Sequence, residues 1–138
     1  MGSLSKAERI VSWLCRLVAA AILLQTLFFK FTGAPESVYI FTQVHMEPWG
    51  RYGSGVAELI AALLLILPCY AWAGALLAIG VMLGAIGSHL TVLGISVQND
   101  HGLLFGLALT VLIASIITAF LHRRQIPIVS GYFNPQHS

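Results

Sequence analysis

The chain has 138 residues, of which 58% are hydrophobic and 9% charged, with a formal net charge of +2 and a mean hydropathy of +0.88. Soluble domains are about 25% charged, so this composition excludes an ordinary water-soluble domain and places the chain in a bilayer. There is room for four spans of about 20 residues and little else, and the tandem Arg123-Arg124 is too short a basic run for a nucleic-acid footprint.

Residues 1–9 are polar, and Ser5 followed three residues later by Glu8 fits a capping box ahead of a first helix. The apolar run Ile10 to Phe29 is too long for a signal-peptide core and ends in Phe28-Phe29-Lys30-Phe31 rather than in a small-x-small cleavage site, so it reads as a retained first span. Gly33-Ala34-Pro35 breaks it. Glu36 to Met46 mixes apolar and polar groups at helical spacing and is too short to span. It reads as an amphipathic helix on the membrane surface, with Tyr39 and Trp49 at headgroup depth.

A second span follows from about Gly53, and the aromatic turn Pro68-Cys69-Tyr70-Ala71-Trp72 leads into a third that ends near Gly94. Gly80, Gly84 and Ser88 recur every four positions there, a pattern that lets helix backbones approach closely. Asn99 or Asp100 can cap the fourth span, which His122-Arg123-Arg124 stops. The expected fold is therefore all-α: an integral membrane four-helix bundle in one transmembrane domain, residues 1–138. Its spans lie at about 10–30, 53–68, 73–94 and 102–121, and the short surface helix sits between spans one and two.

Four spans return both termini to one side. Lys6, Arg9, Arg123 and Arg124 lie there, with Arg16 able to snorkel back to it, whereas Lys30 and Arg51 lie on the other side. The bias predicts a multi-pass plasma-membrane protein with both termini cytoplasmic.

The remaining polar groups collect on the side opposite the termini. Lys30, Glu58, His89, Asp100 and His101 form the candidate cluster, ligand-binding or structural. Glu58 and His89 stand inside apolar runs, where an ionisable group is a functional hypothesis by default. For Glu58 a structural ion pair and a ligand or proton site stay open, with Lys30 its natural counter-charge, and for His89 a structural hydrogen bond is favoured. His45, His89 and His101 share a side, but no H-x-x-x-H, E-x-x-H or haem-attachment pattern accompanies them, so neither a metal nor haem is expected. Cys15 and Cys69 have no metal or redox spacing and read as packing thiols. No nucleophile–base pair stands out, and no catalytic residue is assigned.

Four features together resemble the DoxX-like family of small bacterial four-helix membrane proteins, over about residues 13–126. They are Phe28-Phe29-Lys30-Phe31 closing span one, Gly55-x-x-Glu58 in span two, the Gly/Ala-rich third span with its late His89, and Gly102-Leu103-Leu104-Phe105 opening span four. The resemblance implies the fold and a bacterial inner-membrane address. The family takes its name from a subunit of a thiosulfate:quinone oxidoreductase, other members resemble partners of membrane redox or thiol-stress systems, and a eukaryotic relative is similar to a receptor-assembly chaperone. No stretch reads as a second, extracytoplasmic domain, so a complete thiosulfate-oxidising enzyme is not expected of this chain alone.

Two functions follow as expectations. The favoured one is a non-catalytic accessory or assembly subunit of a redox-associated membrane complex. The alternative is a quinone-linked membrane subunit holding a quinol headgroup between Lys30, Glu58 and His89. The broad apolar faces of spans one and four predict contact with lipid and with a second copy or a larger assembly, and Tyr132-Phe133-Asn134-Pro135 in the tail predicts docking on a partner or on the chain's own cytoplasmic turn.

Overall fold

The structure is a computed structural model that describes residues 4–67, 69–94 and 102–126. The tail aromatics, Asp100 and His101 lie outside the described residues.

Helix α1 runs Lys6–Phe31. It starts on the capping box: the Glu8 amide donates to Ser5 Oγ at 3.1 Å and the Ser5 amide to Glu8 Oε1 at 2.9 Å, which satisfies two otherwise orphaned donors. Gly33, in the left-handed region at φ 68°, turns the chain out of it.

The short helix α2, Pro35–Gln43, starts on a proline whose missing N–H costs nothing at that position. Helix α3 runs Trp49–Ile66 and begins four residues earlier than Gly53, the expected start of span two. Pro48 stands at its N-cap, and Arg51 holds Glu47 at 2.8–3.0 Å across that first turn. Trp49 and Gly50, ahead of the expected start, are thus helical.

Helix α4, Ala71–Ser88, continues into a π-helical turn, His89–Leu93. Helix α5 is Leu103–Leu121, with Gly102 at its N-cap, and the capping candidates Asn99 and Asp100 lie outside the described residues.

Among the described residues, α1, α3, α4 with its π turn, and α5 are the four helices long and apolar enough to cross a bilayer. The shortest, at 18 residues, spans about 27 Å at 1.5 Å per residue, close to a hydrocarbon core of about 30 Å. Their outward faces carry Leu14, Phe28, Leu83, Leu90, Ile113 and Phe120, all more than half exposed. With no water-facing polar stripe to match, these faces fit lipid, and the chain is a multi-pass membrane protein.

α1 and α4 each pack against both α3 and α5, so the four helices stand in the cyclic order α1–α3–α4–α5. α2 lies across one end and touches α1, α3 and the π turn, while the start of α1 and the end of α5 meet at the other end.

The two halves of the bundle differ. Toward the termini the core is mostly alanine: Ala19, Ala61, Ala75 and Ala78 are fully buried around Leu65. There α4 meets α3 backbone to backbone. A Cβ on Gly74 would fall 2.7 Å from Leu65 N and 2.8 Å from Ala61 O, so only glycine fits.

Toward the α2 end the helices separate. Gly80 and Gly84, expected to be a close-contact face, have nothing within 4 Å of where a Cβ would stand. The close approach is made six residues before Gly80, at Gly74, and the later glycines line open space instead.

Candidate ligand cavity

That space is a cavity of about 700 Å³ inside the α2 half of the bundle. Its walls are mostly apolar, among them Leu23, Phe29, Val81, Leu107 and Val111, and Ile40 and Phe41 of α2 close over it. Its polar lining comprises Thr26 and Lys30 from α1, Glu36 and Ser37 from α2, Ser54 and Glu58 from α3, and Ser88 and His89 from the end of α4.

Glu58 is 1% exposed. Its Oε1 pairs with Lys30 Nζ, and its Oε2 accepts from Thr26 Oγ1 at 2.6 Å. Both carboxylate oxygens therefore have partners, which is the condition for a buried charge to persist.

The geometry depends on a glycine one turn earlier. At Gly55 a Cβ would stand 2.9 Å from the Phe31 ring, so the missing side chain lets Phe31, and Lys30 beside it, close on α3. Phe31 stacks on Tyr52 at 6.4 Å between ring centroids. Arg51 Nη1 donates to the Lys30 carbonyl and ties the start of α3 to the end of α1. The two short motifs noted in the sequence, Phe28-Phe29-Lys30-Phe31 and Gly55-x-x-Glu58, are thus two sides of one contact.

His89 is 5% exposed and sits where α4 gives way to the π turn. Its Nδ1 lies 2.9 Å from the Gly94 carbonyl, and the Gly94 amide donates back to the His89 carbonyl at 2.7 Å. Gly94 has φ 80°, which aims its carbonyl at the ring, and Phe105 packs edge-on at 5.5 Å. The expected structural hydrogen bond of His89 is therefore local.

Of the five residues of the sequence cluster, the structure brings Lys30, Glu58 and His89 to one cavity, and Asp100 and His101 lie outside the described residues. His45 is exposed and away from the cavity, so it does not converge with His89. Among the described residues no three His, Cys, Asp or Glu side chains group as a metal site would require.

Sequence reasoning missed Thr26, and it singled out Gly55 without its contact to Phe31. Thr26 precedes Lys30 by four residues and so shares its helix face, a signal that was present. The Gly55-x-x-Glu58 motif gave no sign of that contact, because a glycine does not say what fills its place.

The opposite end holds a second polar group. Arg16, 3% exposed, does not snorkel. Its Nε and Nη2 donate to the carbonyls of Leu65 and Leu67 at 2.5 and 2.9 Å, and its guanidinium lies 3.7 Å from the Trp13 ring centroid. It thereby satisfies acceptors left open at the end of α3. Ser12 Oγ is 2.8 Å from His122 Nε2. Burial pushes the His122 pKa down, the Arg16 charge adds to this, and a hydrogen bond with Gln125 opposes it.

A family model for DoxX matches residues 12–94, more than half of the chain. The chain belongs to the DoxX family. The match covers Lys30, Glu58, His89 and Gly94 and stops before α5, so the DoxX region supplies three of the four helices around the cavity and all of its charged pair. Neither a curated protein nor a solved structure matches the chain.

Proposed function

We propose that this DoxX protein holds a lipid-soluble molecule of the quinol class in the cavity and does so as a non-catalytic subunit of a redox-associated complex in a bacterial plasma membrane. The observation that carries this reading is the cavity itself. About 700 Å³ lies within the range of small-molecule sites, and the combination of apolar walls with a few converging polar groups is what such sites share. A quinol fits on chemical grounds. Its substituted ring and tail match the apolar walls, and its oxygens match Lys30, a donor anchored by Glu58, and His89. An accessory protein that acted only through its outer faces would have no use for an interior lined this way. The exposed apolar faces support contact with a second copy or with larger subunits.

The test is solvent extraction and mass spectrometry of protein purified in mild detergent. About one quinone or quinol per chain is expected from the wild type, and a loss of at least tenfold from Gly84→Leu, which places a side chain in the open space beside α4. A wild-type protein that carries no such molecule, and binds none when it is added, would remove the ligand and leave only the packing role.

A further inference from the structure

The hydrogen bond of His89 fixes more than the ring's position. A carbonyl oxygen only accepts, so the Nδ1 that faces Gly94 at 2.9 Å carries the proton. In the uncharged ring Nε2 is then an acceptor and cannot donate. Two features of the backbone hold this arrangement: the π turn, closed by the Gly94 amide on the His89 carbonyl, and the left-handed Gly94 that turns its own carbonyl back toward the imidazole. Phe105 blocks rotation on one side. The imidazole lines the cavity, and among the described residues no protein group bonds Nε2.

The hydroxyls nearby do not compensate. Ser88 donates to the Gly84 carbonyl at 2.9 Å and Thr26 to Glu58 at 2.6 Å, so both present oxygen lone pairs.

We infer that His89 Nε2 is a fixed hydrogen-bond acceptor that selects a ligand bearing a hydroxyl donor, and so selects the reduced, quinol form over the quinone. The inference rests on the cavity being the ligand site. A quinone offers only carbonyl oxygens and would bury Nε2 against a second acceptor, whereas a quinol donates to His89 from one hydroxyl and accepts from Lys30 at the other oxygen. Leaving a buried acceptor unpaired corresponds to roughly tenfold in affinity. The same chemistry would be met by a hydroxyl-bearing lipid such as diacylglycerol, and the experiment separates the two sources.

Binding is measured in nanodiscs, anaerobically and at about pH 8. The first pair of probes is a short-chain benzoquinol and its quinone, and the second is a short-chain diacylglycerol and its acetate ester. The wild type is expected to bind the quinol about tenfold more tightly than the quinone. His89→Asn, whose amide can still donate to Gly94 but has nothing at the Nε2 position, is expected to bring the ratio to near one with quinone affinity kept. Equal affinities in the wild type, or a preference that survives in His89→Asn, overturn the inference. Binding of diacylglycerol over its acetate, with neither quinone form bound, supports the acceptor and overturns the quinol reading. Binding of none of the four overturns both. Nitrogen NMR of the wild type gives a readout free of folding effects: His89 protonated on Nδ1, with the Nε2 signal moving on addition of quinol, is expected, and a ring protonated on Nε2 overturns the inference.

Discussion

Lys30 and Glu58 hold each other at a depth where either charge alone would cost a few kcal/mol, roughly 2.5–3.5 on insertion scales. Removing one partner is therefore worse than removing both. Glu58→Leu and Lys30→Met are each expected to destabilise the protein by about 3–5 kcal/mol, because each strands the other charge. Glu58→Gln should cost less, since its amide oxygen can still accept from Thr26 or Lys30. The double variant Lys30→Met/Glu58→Leu should recover most of the loss. Thermal unfolding in detergent followed by circular dichroism reads all four, and a double variant no better than the worse single would show that the pair's charges are not what couples these positions. This pair was legible in the sequence because two isolated charges interrupt apolar runs and must be satisfied. Thr26, which completes the carboxylate's bonding, shares the helix face of Lys30, but a threonine in a helix usually bonds its own backbone and does not by itself mark a partner on another helix.

At the scale of the helix, one sequence pattern gave two structures within α4. Small residues recur along its whole length, but they bring backbones together only at the end near the termini and line a void at the other. Hydropathy and four-residue spacing cannot separate these outcomes, since a glycine facing a neighbouring backbone and a glycine facing open space look the same in sequence. The difference is testable. Gly74→Val places atoms against the backbone of Leu65 and Ala61, which cannot move aside, and a loss of about 1–3 kcal/mol is expected from overpacking. Gly84→Ala meets nothing and removes a helix glycine, so it should be neutral or stabilise by up to about 1 kcal/mol. Equal destabilisation by both in the same unfolding assay would mean that the void is closed in the membrane.

The joint between α1, the end of α3 and the end of α5 carries its own prediction. The folded protein favours neutral His122, so the unfolded chain binds more protons over the affected range, and stability rises with pH there. It is complete above the ordinary histidine value of 6.5, falls as the pH drops through that value, and levels off below the lowered folded pKa. Melting temperatures measured across that range should fall toward acid in the wild type, and less so in His122→Gln. Arg16→Met should also flatten the slope, because it removes the second cause of the shift, while lowering stability at every pH by opening the Leu65 and Leu67 carbonyls. A slope unchanged by His122→Gln would assign the acid sensitivity to another group.

For the molecule as a whole, the sequence made the number of spans readable, and with it that Lys30, Glu58 and His89 stand toward the same end of the bundle, since a bilayer demands about 20 apolar residues per crossing. The void was not readable, because it is made by where side chains are missing. Orientation follows from charge. Lys6, Arg9, Arg123 and Arg124 stand at the end of the bundle where α1 starts and α5 ends, against Lys30 and Arg51 at the α2 end, and the positive-inside bias therefore predicts cytoplasmic termini and a cavity in the outer half of the membrane. Cys69 tests this without an introduced probe. It is exposed in the turn between α3 and α4, at the same end as the termini, whereas Cys15 is half-buried within α1. In a Cys15→Ser protein, a membrane-impermeant maleimide added to intact cells should leave Cys69 unlabelled, and the same reagent should label it in inverted membrane vesicles. Labelling in intact cells would reverse the orientation and move the cavity, with the Lys30–Glu58 pair, to the cytoplasmic half, where a ligand would be exchanged with the opposite leaflet.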